Sequence, residues 1–168
     1  MTIADFSPHF ARTLVATAKK QRLETAATEI AAFFAVTPHE VAFFQVDSRG
    51  RSAVFRWPPQ AGSTMNIPLK SYGSSLVSAT AREERGFINN AFVTTPHLHM
   101  FEHVLAEPQQ RIPVQKIMSA RVSVDGVLRG IIQVCRKGRN RDEAGADFSN
   151  DDLLHLEQIA EILARFDL

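Results

Sequence analysis

A single cysteine, Cys135, stands among 168 residues. The chain therefore cannot close a disulfide on itself, and chemistry that cycles between two thiols of one chain is excluded. An excess of one charge is missing too. Lys and Arg number 19 against 18 Asp and Glu, a formal net charge of +1, which leaves no electrostatic footprint for nucleic acid. No apolar run approaches the roughly 20 residues needed to cross a bilayer. The start, MTIADFSPHF, lacks the basic and apolar regions of a secretory signal. These absences set the expectation of a cytoplasmic protein engaging neither membrane nor nucleic acid. Also missing are Gly-x-Ser-x-Gly, a Gly-rich phosphate loop, His-Glu-x-x-His and carboxylates paired on neighbouring strands. The expectation is a protein without catalytic residues, resident metal or cofactor.

What is present suits one globular domain: 45% hydrophobic and 22% charged residues in a length that buries a sizeable core. Residues 1–10 read as an N-terminal extension, and residues 11–168 as the domain. From Ala11 to Phe34 the chain is alanine-rich and free of glycine and proline, which predicts one long helix. Its packed positions are Leu14, Val15, Ala18, Ala26, Ala27, Ile30 and Phe34. HEVAFFQV and SAVFRW then read as strands joined by a reversal at Asp47 to Gly50. MNIPLKS is a third strand, at an edge because Pro68 has no N–H for a ladder. A short helix follows from Ser75 to Arg85, with Gly86 as its C-cap. FINNAFVTT is a structured loop, and PHLHMFEHVLAE a further helix starting near Pro96.

After Pro113, QKIMSARVSV and VLRGIIQVCRK are strands joined at Asp125-Gly126, the strongest hairpin signal in the chain, and are expected to be the central pair of a sheet. The segment from Arg136 to Asp147 reads as a solvated connection. Ser149, with Asp152 three residues later, forms a capping box for the last helix, whose apolar stripe is Leu153, Leu156, Ile159, Ala160 and Leu163. Leu154, Ile162 and Phe166 lie off that stripe, which sets the expectation of a homodimer through the terminal helices.

This order, with DGVLRGIIQV and the helix start from Phe148 to Leu154, resembles a GAF domain, the small-molecule sensor module related to PAS. The likeness runs from about Ala11 to Phe166. It implies an α+β fold: a central antiparallel sheet, the N- and C-terminal helices on one face, and short helices and loops covering the other. It further implies a non-catalytic regulatory role in signal transduction, with a small polar ligand held under the segment from Tyr72 to Glu107. Subfamily patterns are incomplete. Cyclic-nucleotide binders carry Asn-Lys and Phe-x-x-x-Asp-Glu where this chain has Arg136-Lys137, Phe148 and Asp152-Leu153. Bilin binders use a cysteine in the covering region, whereas Cys135 falls in the last strand. Free methionine sulfoxide reductases of this fold depend on several cysteines.

Strand alternation predicts which residues face that ligand. Met118, Ala120, Val122 and Val124 point one way, and Ile117, Ser119, Arg121 and Ser123 the other, joined by Gln133 and Cys135 from the next strand. Ser119, Arg121 and Gln133 are therefore candidate ligand contacts, with Arg121 as the anchor for an acidic group. Tyr72, Ser75, Asn89 and Asn90 are candidates from the covering segment, although loop capping also explains such residues. His99 and His103 share a helix face at a spacing that can chelate, while His97 points elsewhere and nothing completes a site. Two readings stay open: a sensor domain with a bound small molecule, and a structural or interaction module whose pocket is filled by its own side chains.

Overall fold

The computed structural model describes residues 1–59, 66–70, 75–95 and 112–166. Four helices and six strands occur among them: α1 (Ile3–Ala16), α2 (Arg22–Phe34), β1 (Val41–Val46), β2 (Ser52–Trp57), β3 (Asn66–Pro68), α3 (Leu76–Arg82), β4 (Phe87–Asn89), β5 (Val114–Val124), β6 (Val127–Lys137) and α4 (Asn150–Leu163). The strands form one sheet in the order β3-β2-β1-β6-β5-β4, with antiparallel neighbours throughout. Two layers of core enclose it. Met118, Ala120, Ile132 and Val134 pack under α1, α2 and α4, while Ile117, Ile131 and Cys135 pack with Val77 of α3 on the other face. The architecture is α+β, with terminal helices on one side and a short helix and loops on the other. No helix among the described residues is long and apolar enough to cross a membrane.

The single long N-terminal helix is corrected to two. At about 100° per residue, the buried set Phe6, Phe10 and Leu14 points roughly 130° away from Ala26, Ala27, Ile30, Ala31 and Phe34. A straight helix would turn one set to solvent. The chain instead opens at Thr17 and Ala18, both with extended ψ, and the Arg22 Nε donates to the Thr17 carbonyl at 3.2 Å across the corner. Residues 1–10, set apart as an extension, carry the first two of these core phenylalanines. Thr2 caps α1, and the Phe6 and Phe10 rings stack at 5.1 Å. Val15, expected to pack, is exposed.

The hairpins follow local chemistry. Asp125 and Gly126 both have positive φ, 50° and 77°, the geometry a two-residue turn demands. Asp47 closes the first reversal by accepting from the N–H groups of Arg49 and Arg51. β3, with Pro68, lies at an edge. The middle pair of the sheet is β1 and β6, however, so β5 sits one place from the other edge. The expected loop at FINNAFVTT begins with β4, which occupies that edge. α3 ends at Arg82, and Glu84 takes the left-handed conformation, φ 54°. Gly86 lies beyond this turn and packs closely instead of capping: a Cβ there would stand 3.1 Å from the Ser119 carbonyl oxygen and would displace the movable ends of Glu157 and Leu153.

The last helix starts as read, with the Ser149 and Asp152 box complete. Its exposed set is smaller than read. Ile162 is buried and Phe166 packs against the core, leaving Leu154 exposed.

Candidate functional site

On the α3 side of the sheet, Ser119 of β5 and Gln133 of β6 are cross-strand partners. Both are buried. Gln133 Nε2 donates to Ser119 Oγ at 3.2 Å, and Ser119 Oγ lies 2.8 Å from Thr80 Oγ1, itself 2.8 Å from the Leu76 carbonyl. A carbonyl oxygen can only accept, so the Thr80 proton goes to Leu76 and the Ser119 proton to Thr80. The result is a chain of donors, Gln133 to Ser119 to Thr80 to Leu76, that fastens α3 to the sheet. Sequence reasoning found two of these residues. Thr80 lies 39 positions from Ser119, and only its place on the inner face of a short helix hints at it.

Arg121 continues the same face. Its guanidinium has a side-chain exposure of 17% and lies 4.0 Å from Glu84, whose carboxylate is 78% exposed. That contact is at the limit of an ion pair, and Arg121 Nε is buried with no hydrogen-bond partner among the described residues. A buried donor without an acceptor is costly, so Arg121 is the incompletely satisfied member of this face.

The remaining candidates divide. Asn89 closes its own turn, donating to Thr95 Oγ1 at 2.9 Å and accepting from the Ala91 N–H at 2.9 Å. Asn90 reaches the other layer, donating to the Phe148 carbonyl and accepting from the Phe148 N–H, both at 2.9 Å. Ser75 is the N-cap of α3 without a side-chain capping bond. Tyr72, the helix read from Pro96 and the histidines at 97, 99 and 103 lie outside the described residues. Among the described residues no group of His, Cys, Asp and Glu is placed to hold a metal. Cys135 is fully buried.

The segment from Arg136 to Asp147 is solvated as read over most of its length, residues 139–143 and 145–147 being exposed, but it is also pinned. Lys116 is 2% exposed; its ammonium donates to the Gly145 carbonyl and pairs with Asp147 at 2.9 Å. Arg141 also pairs with Asp147. Arg136 lies over the Phe148 ring at 4.8 Å and donates to the Phe34 carbonyl at 3.2 Å. Lys116, followed by the Arg141 guanidinium, holds the Asp147 carboxyl below its ordinary value of 3.8. Asp47 is lowered chiefly by the Arg51 N–H, and Asp5 by the Thr2 hydroxyl. A depressed carboxyl stabilises the fold above its unfolded pKa and loses that contribution as pH falls through its folded pKa. Asp147→Asn is therefore expected to lower the urea midpoint at pH 7 more than at pH 3, below the ordinary value. An equal loss at both pH values would show that the Lys116 pair does not set this dependence.

Neither a protein-family model nor a curated protein matches the chain. Solved structures do. The GAF domain of an Acinetobacter phosphoenolpyruvate-protein phosphotransferase superposes with a TM-score of 0.70 at 14% identity, covering 96% of this chain and 90% of that one. The GAF domain of the corresponding Coxiella burnetii protein gives 0.69 at 12% identity over 97% and 90%. The Neisseria meningitidis free methionine-R-sulfoxide reductase, in complex with its substrate, gives 0.67 at 16% identity over 97% and 86%. The chain therefore has the fold of a GAF domain. That fold serves both domains of phosphotransferase proteins and an enzyme, so function is argued from the residues.

Proposed function

We propose that this is a non-catalytic regulatory GAF domain that holds a small acidic molecule against the α3 face of its sheet through Arg121. The observation that carries the reading is the buried Arg121 Nε, which has no hydrogen-bond partner among the described residues, beside a distant and exposed Glu84. A carboxylate or phosphate on the ligand would supply the missing acceptor in a two-pronged contact. Tyr72 and Ser75 belong to the stretch of sequence that would close over it, whereas Asn89 and Asn90 are already engaged with Thr95, Ala91 and Phe148. The sole cysteine, buried in β6, supports the non-catalytic reading. Signalling would pass through a partner or a second copy meeting the terminal helices, where Val15 and Leu154 are exposed.

The Gln133–Ser119–Thr80 chain favours the second reading, an interaction module, because it engages polar groups that a ligand would otherwise meet. Native mass spectrometry before and after denaturation separates the two and counts subunits. A copurified small anion is expected, and Arg121→Met is expected to stay folded while binding it about tenfold more weakly, the size of one charge-assisted contact. Absence of any additional mass, or binding unchanged in the variant, would remove Arg121 as the anchor. An unfolded variant would make Arg121 a structural partner.

A further inference from the structure

The opposite face carries a second feature, independent of Arg121. An open cleft of about 540 Å³ lies between the end of α4 and the sheet, with Phe43, Val122, Leu163 and Phe166 as its apolar lining. This is within the range of roughly 300 to 1,000 Å³ typical of small-molecule sites. Arg56 of β2, Arg129 of β6 and Arg165 after α4 also line it. All three are exposed, and among the described residues none makes an ion pair or side-chain hydrogen bond. No Asp or Glu is among the described lining residues. In a chain with 19 basic and 18 acidic residues, three unpaired guanidiniums around one apolar cleft are a local segregation of charge.

The backbone contributes to this arrangement. Val122 pairs with Gly130 but Ser123 pairs with Leu128, so Arg129 is an extra residue in its strand. Such a bulge re-aims a side chain. Gly130, also in the lining, admits no larger residue without movement, since a Cβ would stand 2.8 Å from the Phe44 carbonyl oxygen. The cleft thus combines an apolar floor with arginines contributed by β2, β6 and the residues just after α4. Guanidinium forks match carboxylate and phosphate oxygens, and the lining matches an aliphatic or aromatic body.

We infer that this cleft binds an amphipathic organic anion, its apolar part against Phe43, Val122 and Phe166 and its carboxylate or phosphate on Arg129, Arg165 and Arg56. Isothermal titration calorimetry with octanoate, octyl phosphate and octanol tests it on the full chain. At least one anion is expected to bind about tenfold or more tightly than the alcohol, the worth of a charge-assisted contact; the tighter anion identifies the head group. Arg129→Gln with Arg165→Gln should remove that preference while leaving any alcohol binding unchanged. Ala164→Trp, which fills the cleft, should abolish binding, and Arg121→Met should leave it intact, separating this site from the α3 face. Equal binding of octanol and the anions, or an unaltered preference in the double arginine variant, would overturn the inference. So would silence with both anions, accompanied by a dimer that Ala164→Trp dissociates, which would give the cleft to a second copy.

Discussion

Phe10→Ala is expected to cost about 4 kcal/mol, within the range for deleting a fully buried phenyl ring. For a domain of this size that corresponds to a fall in melting temperature of roughly 8 to 16 °C. The ring has no exposed surface and stacks on Phe6, which in turn meets Phe33 of α2 at 4.6 Å. Its removal opens a cavity where α1 meets the other terminal helices. Val15→Ala, on the same helix but 70% exposed, serves as the control and should change stability by less than about 0.5 kcal/mol. Calorimetric melting of the two variants decides the matter. A Phe10→Ala protein melting with the control would show that α1 contributes little to the fold.

Lys116→Ala is expected to cost about 3 kcal/mol, combining a cavity from the buried stem with an unmade hydrogen bond to the Gly145 carbonyl. Lys116→Met separates the two contributions. It keeps most of the stem and removes the ammonium, so the loss should shrink to about 1 to 2 kcal/mol. Asp147 retains Arg141 in both variants, and its half-exposed carboxylate can turn to water, so no buried charge is stranded. Urea unfolding provides the measurement. If both variants lie within error of the unaltered protein, the loop after β6 is held by its other contacts, among them Arg136 on Phe148 and Gln115 on the Gly138 carbonyl.

Both results bear on what a sequence can reveal. Features set by neighbours in the chain were readable: the Asp125-Gly126 turn, the Ser149 and Asp152 box, and the alternation that puts Ser119, Arg121 and Gln133 on one face. The corner at Thr17 was not, because residues 11–34 are locally good helix, and the need to break arises when two apolar stripes must meet one sheet. Phe6 and Phe10 are only two positions of a stripe interrupted by Pro8, too few to announce a core helix. In the site, period-two alternation supplied the face but not the occupancy. Thr80 against Ser119 and Asn90 against Phe148 join residues 39 and 58 positions apart. Arg136 reads as the start of a solvated connection and Lys116 gives no signal, because their partners Phe34, Gly145, Asp147 and Phe148 are brought to them only by the fold.

The clamp of Asn90 on Phe148 gives the molecule a mechanical linkage. One side-chain amide grips both polar groups of a single peptide residue, as a neighbouring strand would, and does so next to the first turn of α4. The edge of the sheet and the root of the final helix are thereby wired in series. A displacement of residues 87–95 must therefore break two bonds together or carry Phe148 with it.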